Sequence, residues 1–309
     1  MSDIHATSNV NQGGTGSVTD YIALLKPRVM YLAILTALAG IVAAPGTIHP
    51  WLGFMALLAI SIGAGACGAL NMWYDADIDS VMKRTAKRPV PSGSIAPNEA
   101  LGFGAFLAVL SVLMLGLFNT WASAFLLAFT IFFYIVIYTM WLKRWKPQNI
   151  VIGGAAGAYP PMVGGAAVTG GVDMGSIALF LLIFMWTPPH FWALALFTKT
   201  DYAVAKVPML PVVAGTDETR RQILIYSALL APTALLPTLL GTTGWFYTVT
   251  AAVLGAQFLW HAITVYRVRE GEAADKACKK LFGFSIVYLF TLFGLIIVEK
   301  AAGLPPVLG

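Results

Sequence analysis

Apolar residues gather in nine long runs, at about 28–46, 51–72, 101–118, 121–142, 149–169, 177–197, 223–241, 245–264 and 282–300. Each is close to the roughly 20 residues that a helix needs to cross a bilayer. The pattern predicts an all-α fold, a polytopic membrane bundle of nine transmembrane helices. Residues 1–20 are polar, rich in Ser, Thr, Asn and Gly, and predict a disordered tail ahead of a single membrane-embedded domain over residues 21–309. The tail does not read as a signal peptide, because the first apolar run begins only after Lys26 and Arg28, although that run does end in Ala-Ala-Pro-Gly.

Composition sharpens this picture. Of the 309 residues 58% are hydrophobic and 11% charged, far below the roughly 25% charged of soluble domains. If nine helices alternate in direction, Lys300 is the one cation on the far side, and the other eighteen of the nineteen Lys and Arg share the side of the N-terminus. That asymmetry predicts a cytoplasmic N-terminus in a cell inner membrane, with the lipid bilayer as the chain's solvent. The net charge of +5 is then a topology signal and calls for no nucleic acid. Two cysteines, Cys67 and Cys278, are too few for a disulfide framework or a metal cage.

Chemistry concentrates where the second run ends, in NMWYDADIDSVMKRTAKRPVPSG from Asn71 to Gly93. Residues four apart on a helix lie about 40° apart around its axis and about 6 Å apart along it. Asn71, Asp75 and Asp79 therefore form one slanting stripe of oxygen donors, with Asp77 on roughly the opposite side. Oxygen donors suit a hard cation such as Mg²⁺, whose remaining ligands come from water and phosphate. Lys83, Arg84, Lys87 and Arg88 follow at once, and Lys143, Arg144 and Lys146 reach the same surface from the end of the fourth run. Acid, metal and base together predict a diphosphate site. A continuous helix from Trp51 to Asp79 would be about 43 Å long, against a hydrocarbon core of about 30 Å, so the stripe belongs at the membrane surface. Pro89, Pro91 and Gly93 stop the helix and predict a loop folding back over the site. Asn149, which opens the fifth run, reads equally well as a helix cap.

The sixth run ends MWTPPHFWALALFTKTDYAVAKVPMLP. Pro188 and Pro189 predict a kink. His190, an ionisable residue within a span, is a functional candidate, and Asp201 eleven residues on falls within about 20° of it on an unbroken helix. The two stretches echo each other: an apolar helix, an aspartate, cations and a Pro-containing loop. On residues alone a transporter with an acidic cation site stays open beside an enzyme.

Asn71-xxx-Asp75-xxx-Asp79 followed by KRTAKRPVPSG resembles the UbiA superfamily of intramembrane prenyltransferases. Within it, LKRWKPQNIVIGGAAGAYPPMVGG, TPPHFWALAL and DYAVAKVPMLPVV are similar to the branch that transfers the farnesyl group of farnesyl diphosphate to the vinyl group of heme B. The resemblance implies that Asn71, Asp75 and Asp79, with Asp201 opposite, hold Mg²⁺ and diphosphate. It implies that Lys83, Arg84, Arg88, Lys143, Arg144 and Lys206 clamp phosphate, and that His190 and Trp192 contact the heme. Heme B is then a substrate, and a hand-off of the product to a heme A synthase or terminal oxidase assembly stays open. The superfamily's second aspartate motif has a further carboxylate four residues on, where this chain has Ala205 and then Lys206; the metal count stays open with it. The rival within the superfamily is an aromatic quinone precursor as acceptor.

Overall fold

Ser17 opens the first helix with a capping box: its Oγ accepts the N–H of Asp20, and the Asp20 carboxylate accepts the N–H of Ser17. That helix, α1 (Val18–Leu24), begins inside the stretch expected to be a tail, because the local capping chemistry is complete there. The computed structural model describes residues 16–308, so residues 1–15 of the expected tail lie outside the described residues. At Lys26 the chain turns by 53° into α2 (Pro27–Ala43), with proline at the first helical position, where its missing N–H costs nothing.

The remaining spans follow the apolar runs. They are α3 (Pro50–Tyr74), which passes through Asp75 into the short α4 (Ala76–Val81); α5 (Pro97–Phe118); and α6 (Trp121–Phe132). The α6 helix continues as a π-helix, Phe133–Leu142, and ends in α7 (Lys143–Trp145). The fifth span is α8 (Asn149–Ala158) with α9 (Pro160–Thr169), and the sixth is α10 (Met174–Phe197), followed by α11 (Lys199–Val204) and α12 (Leu210–Val213). The last three are α13 (Gly215–Thr233) with α14 (Leu236–Leu239), α15 (Trp245–Arg267) and α16 (Gly271–Ala301). Among the described residues eight helices are long and apolar enough to cross a membrane, and nine if the bent pair α1–α2 forms one span. The chain is a multi-pass membrane protein.

Small residues set the helix contacts, as they do in bilayers, where close backbone approach replaces the hydrophobic drive between helices. The α2–α9 crossing is the tightest case. A Cβ on Gly40 would strike the backbone of Pro161, and one on Gly164 would strike the Ala37 carbonyl. Exposed Trp51, Trp121 and Trp245 open α3, α6 and α15 at one end of the bundle, while Trp141 and Trp145 stand at the other, where α3 ends. Aromatics at both ends mark the two interfaces of a bilayer.

Two expectations about continuity change. The helix through Asn71 is interrupted at Asp75 (φ −88°, ψ 11°), yet Asp75 N–H still bonds the Asn71 carbonyl and Asp79 N–H the Asp75 carbonyl, so the spacing of the stripe survives. The helix through His190 contains Pro188 and Pro189 and ends at Phe197, short of Asp201. Thr198 (φ −114°) separates it from α11, so the angle between His190 and Asp201 no longer follows from an unbroken helix.

Candidate active site

Asn71, Asp75 and Asp79 are 5%, 0% and 3% exposed, although each could be solvated at a helix end. They stay buried because cations reach them from three other segments. Lys26 Nζ donates to Asn71 Oδ1 at 2.5 Å, and Asn71 Nδ2 donates to Asp75 Oδ2 at 2.7 Å and to Thr139 Oγ1 at 3.1 Å. Lys143 pairs with Asp75 through the same Oδ2. Arg88 folds back from the basic loop onto Asp79 at 2.6 Å, and Thr85 donates to the Asp79 carbonyl at 2.9 Å. The fold-back of that loop is as expected, with Val90 and Ile95 packed into one cluster with Leu24, Ala69 and Met72.

Asp77 is different. Its side chain is 63% exposed and forms a two-pronged pair with Arg144, both bonds 2.8 Å, while Arg144 also lies over the Tyr74 ring. The Arg144 hydrogen bonds hold the Asp77 carboxyl below the usual carboxylate range.

One buried acceptor is left over. Asp75 Oδ1 has no hydrogen-bond partner, and the nearest guanidinium nitrogen, of Arg144, is 3.7 Å away. An orphaned carboxylate oxygen is costly away from water. Beside an amide oxygen and a second buried carboxylate, it is the donor chemistry that a hard divalent cation takes. Among the described residues no three His, Cys, Asp or Glu side chains converge as a ready-made metal cage, so such an ion would draw ligands from elsewhere as well.

The second stretch comes close to the first at Tyr202. Asp201, Lys83, Arg84 and Lys206 make no ion pair among the described residues, which leaves them open to an incoming charge. Tyr202, beside Asp201, connects the two stretches. Burial raises its hydroxyl pKa, and Arg84 and Arg88, close enough to act on it, pull the other way. Each stretch repeats one plan, a long span, a break residue and a six-residue helix bearing aspartate, α4 in the first and α11 in the second.

Lys26 is the residue that sequence reasoning missed. It counted only as a topology charge, although the Lys-Pro step at the mouth of the first span signals a constrained backbone. It sits at φ 54°, ψ 58°, a left-handed conformation that a residue with a Cβ adopts at some cost, and Lys206 at φ 52° is the only other such residue among those described. That turn aims the ammonium at Asn71 from directly beside an apolar cavity of about 140 Å³. The cavity runs inward between α2, α3, α6 with its π-helix, and α8–α9; Met30, Ile60, Cys67, Tyr134 and Val163 are among its walls.

The two residues expected to contact heme do not share a site. His190 is 8% exposed and stacked between Trp186 (4.2 Å) and Phe282 (4.6 Å), with Nδ1 sharing a 2.6 Å hydrogen bond with Ser285 Oγ on α16. Trp192, two residues on and so about 160° around the helix, is buried edge-on against Tyr226 of α13. Neither lines the cavity. Asn149, for which a helix cap is one of two open readings of the sequence, is the first residue of α8; it is buried, with Oδ1 unpartnered.

A buried charge cluster at the bilayer rim, opening onto a greasy slot that extends into the membrane, fits a molecule with an anionic head and a hydrocarbon tail, which is what a membrane prenyltransferase must grip. Residues 33–294 match the UbiA prenyltransferase family, and the chain belongs to it. Protoheme IX farnesyltransferase of Parvibaculum lavamentivorans is 59% identical over 304 residues, covering 98% of this chain and 96% of the relative. Protoheme IX farnesyltransferase of Beijerinckia indica is 61% identical over 282 residues, covering 91% and 88%. The fold is also that of a UbiA homolog from Archaeoglobus fulgidus solved with GPP and Mg²⁺, with a TM-score of 0.67 and 15% identity over 90% of this chain and 99% of the other.

Proposed function

We propose that this chain transfers the farnesyl group of farnesyl diphosphate to a vinyl group of protoheme IX (heme B), giving heme O, on the cytoplasmic side of the cell inner membrane. The observation that carries the reading is Lys26, which lines the apolar cavity and at the same time bonds Asn71 of the charged cluster. Head and tail of a prenyl diphosphate thereby meet their complementary surfaces in one continuous site. The choice of acceptor rests on the relatives at 59% and 61% identity, and the choice of membrane side on the distribution of basic residues.

Asn71, Asp75 and Asp79, with Asp201 from the second stretch, would hold Mg²⁺; the orphaned Asp75 Oδ1 and the all-oxygen donor set fit it. Bound there, the ion would supply positive charge that stabilises the departing diphosphate. The chain's own cations act on the same oxygens. Lys83, Arg84 and Lys206 carry no carboxylate partner among the described residues and would bind phosphate first, while Lys26, Arg88, Lys143 and Arg144 are already aimed at the head-group position by their carboxylate and amide partners. The C1–O bond breaks with its electron pair going to the diphosphate. The vinyl group then attacks the allylic carbon, and water adds to the resulting cation with loss of a proton. Cavity walls of aliphatic and aromatic side chains keep water from the allylic carbon until the vinyl group arrives.

Membranes containing the chain, incubated with Mg²⁺, farnesyl diphosphate and either heme B or 4-hydroxybenzoate, test the assignment by mass spectrometry. Hydroxyethylfarnesyl heme is the expected product; a prenylated aromatic acid with unmodified heme would refute the acceptor.

A further inference from the structure

Glycines around the apolar cavity mostly owe their smallness to a neighbour. A Cβ on Gly63 would meet Leu127 at 2.9 Å, and one on Gly68 would meet the Leu25 carbonyl at 2.9 Å. Gly157 also lines the cavity, from α8, but a Cβ there would meet no heavy atom within 4 Å. Helix packing therefore does not demand glycine at 157, and glycine within a helix is about 1 kcal/mol worse than alanine. Its φ is not in the left-handed region either, so the backbone does not demand it. What remains is the space itself. Because α8 starts at Asn149, next to Lys143, eight residues of helix set Gly157 about 12 Å deeper than the charged cluster. Ile60 and Val163 line the cavity deeper still, and Gly157 is itself exposed, so a side chain there would stand in the inner part of the slot, away from the diphosphate.

We propose that Gly157 is a specificity-determining residue: its missing side chain leaves room for the distal end of the isoprenoid and so sets the longest chain the site accepts. The inference rests on the reading above that the prenyl tail occupies this cavity. Filling the position shortens the slot without touching the cations or carboxylates that hold the head group, so a long and a short diphosphate respond differently.

The test uses the full-length chain in lipid nanodiscs with Mg²⁺, comparing farnesyl with geranyl diphosphate by binding and by transfer to heme B. Gly157→Leu is expected to lower the farnesyl-to-geranyl ratio of kcat/KM, and of binding, by at least about ten-fold. Gly157→Ala should move both ratios the same way by less. Gly102→Leu, at another glycine where a Cβ meets nothing but away from the cavity, should leave them unchanged. An unchanged ratio in Gly157→Leu, an equal loss for both chain lengths, or a Gly157→Leu chain that fails to fold would each overturn the proposal. The binding ratio needs no acceptor. A parent chain that selects chain length yet makes no farnesylated heme would therefore refute the reaction assigned above while upholding the role of Gly157.

Discussion

Three aspartates two residues apart differ in what surrounds them, and that difference separates their roles. Asp77 meets water and Arg144 together, and a solvent-exposed pair contributes at most about 1 kcal/mol. Because its pKa is depressed, that contribution is present above the ordinary carboxylate range and is lost as pH falls through the lowered value. Asp77→Asn should therefore leave thermal stability close to that of the parent and lower turnover far less than loss of a buried aspartate, through a looser hold on Arg144. Asp79 is buried against Arg88, and its carboxylate belongs to the proposed Mg²⁺–diphosphate set. Asp79→Asn is expected to reduce turnover at least about 100-fold while the protein still elutes as a folded monodisperse species, because Arg88 is exposed enough to find water. Near-parental turnover in Asp79→Asn would contradict the assignment. The stripe was legible because four-residue spacing is a local property of the helix; which of its aspartates faced inward was legible in part, and which cation met which aspartate was not.

At the scale of elements, the π-helix Phe133–Leu142 does most to build the site. Its wider winding presents Thr139 to Asn71 and then Lys143 to Asp75, matching the four-residue step of those two ligands on the neighbouring span. Hydropathy along residues 121–142 cannot distinguish this winding from an α-helix, since both bury the same residues in lipid. The π-helix leans on α8 at one point, where the Tyr138 ring fills the position a Cβ on Gly153 would need. Gly153→Ala should destabilise the protein by about 1–3 kcal/mol through overpacking and lower turnover as well, because Lys143 moves with the displaced helix. The matched Gly102→Ala change, into open space, should leave both Tm and turnover at or above the parental value. Equal behaviour of the two variants would remove the π-helix from this account.

Across the whole molecule, function and stability occupy opposite ends of the bundle. At the end away from the charged cluster, Glu299 of α16 is buried and accepts the backbone N–H groups of Gly244 and Tyr247 at 2.7 and 2.8 Å, capping α15 from outside. Glu299→Ala leaves two buried donors unpaired and should lower stability by about 1–3 kcal/mol for each. Turnover per folded molecule should stay unchanged, as checked by thermal unfolding in detergent beside an activity assay. A loss of turnover at unchanged stability would show that the two ends are coupled.

From the residue string alone came the membrane class, the nearly complete set of spans, the oxygen stripe and the cations beside it. All of these are written in local spacing and in apolar run length, which no distant contact can alter. Tertiary structure decided what depends on the approach of segments far apart in the chain. It brought Lys26 back onto Asn71, left Asp75 Oδ1 without a partner, and opened an apolar slot beside the charges. It also turned His190 and Trp192 toward different neighbours, because the packing of α16 and α13 on either side of α10, and not the order of residues, determines what each face of that helix meets.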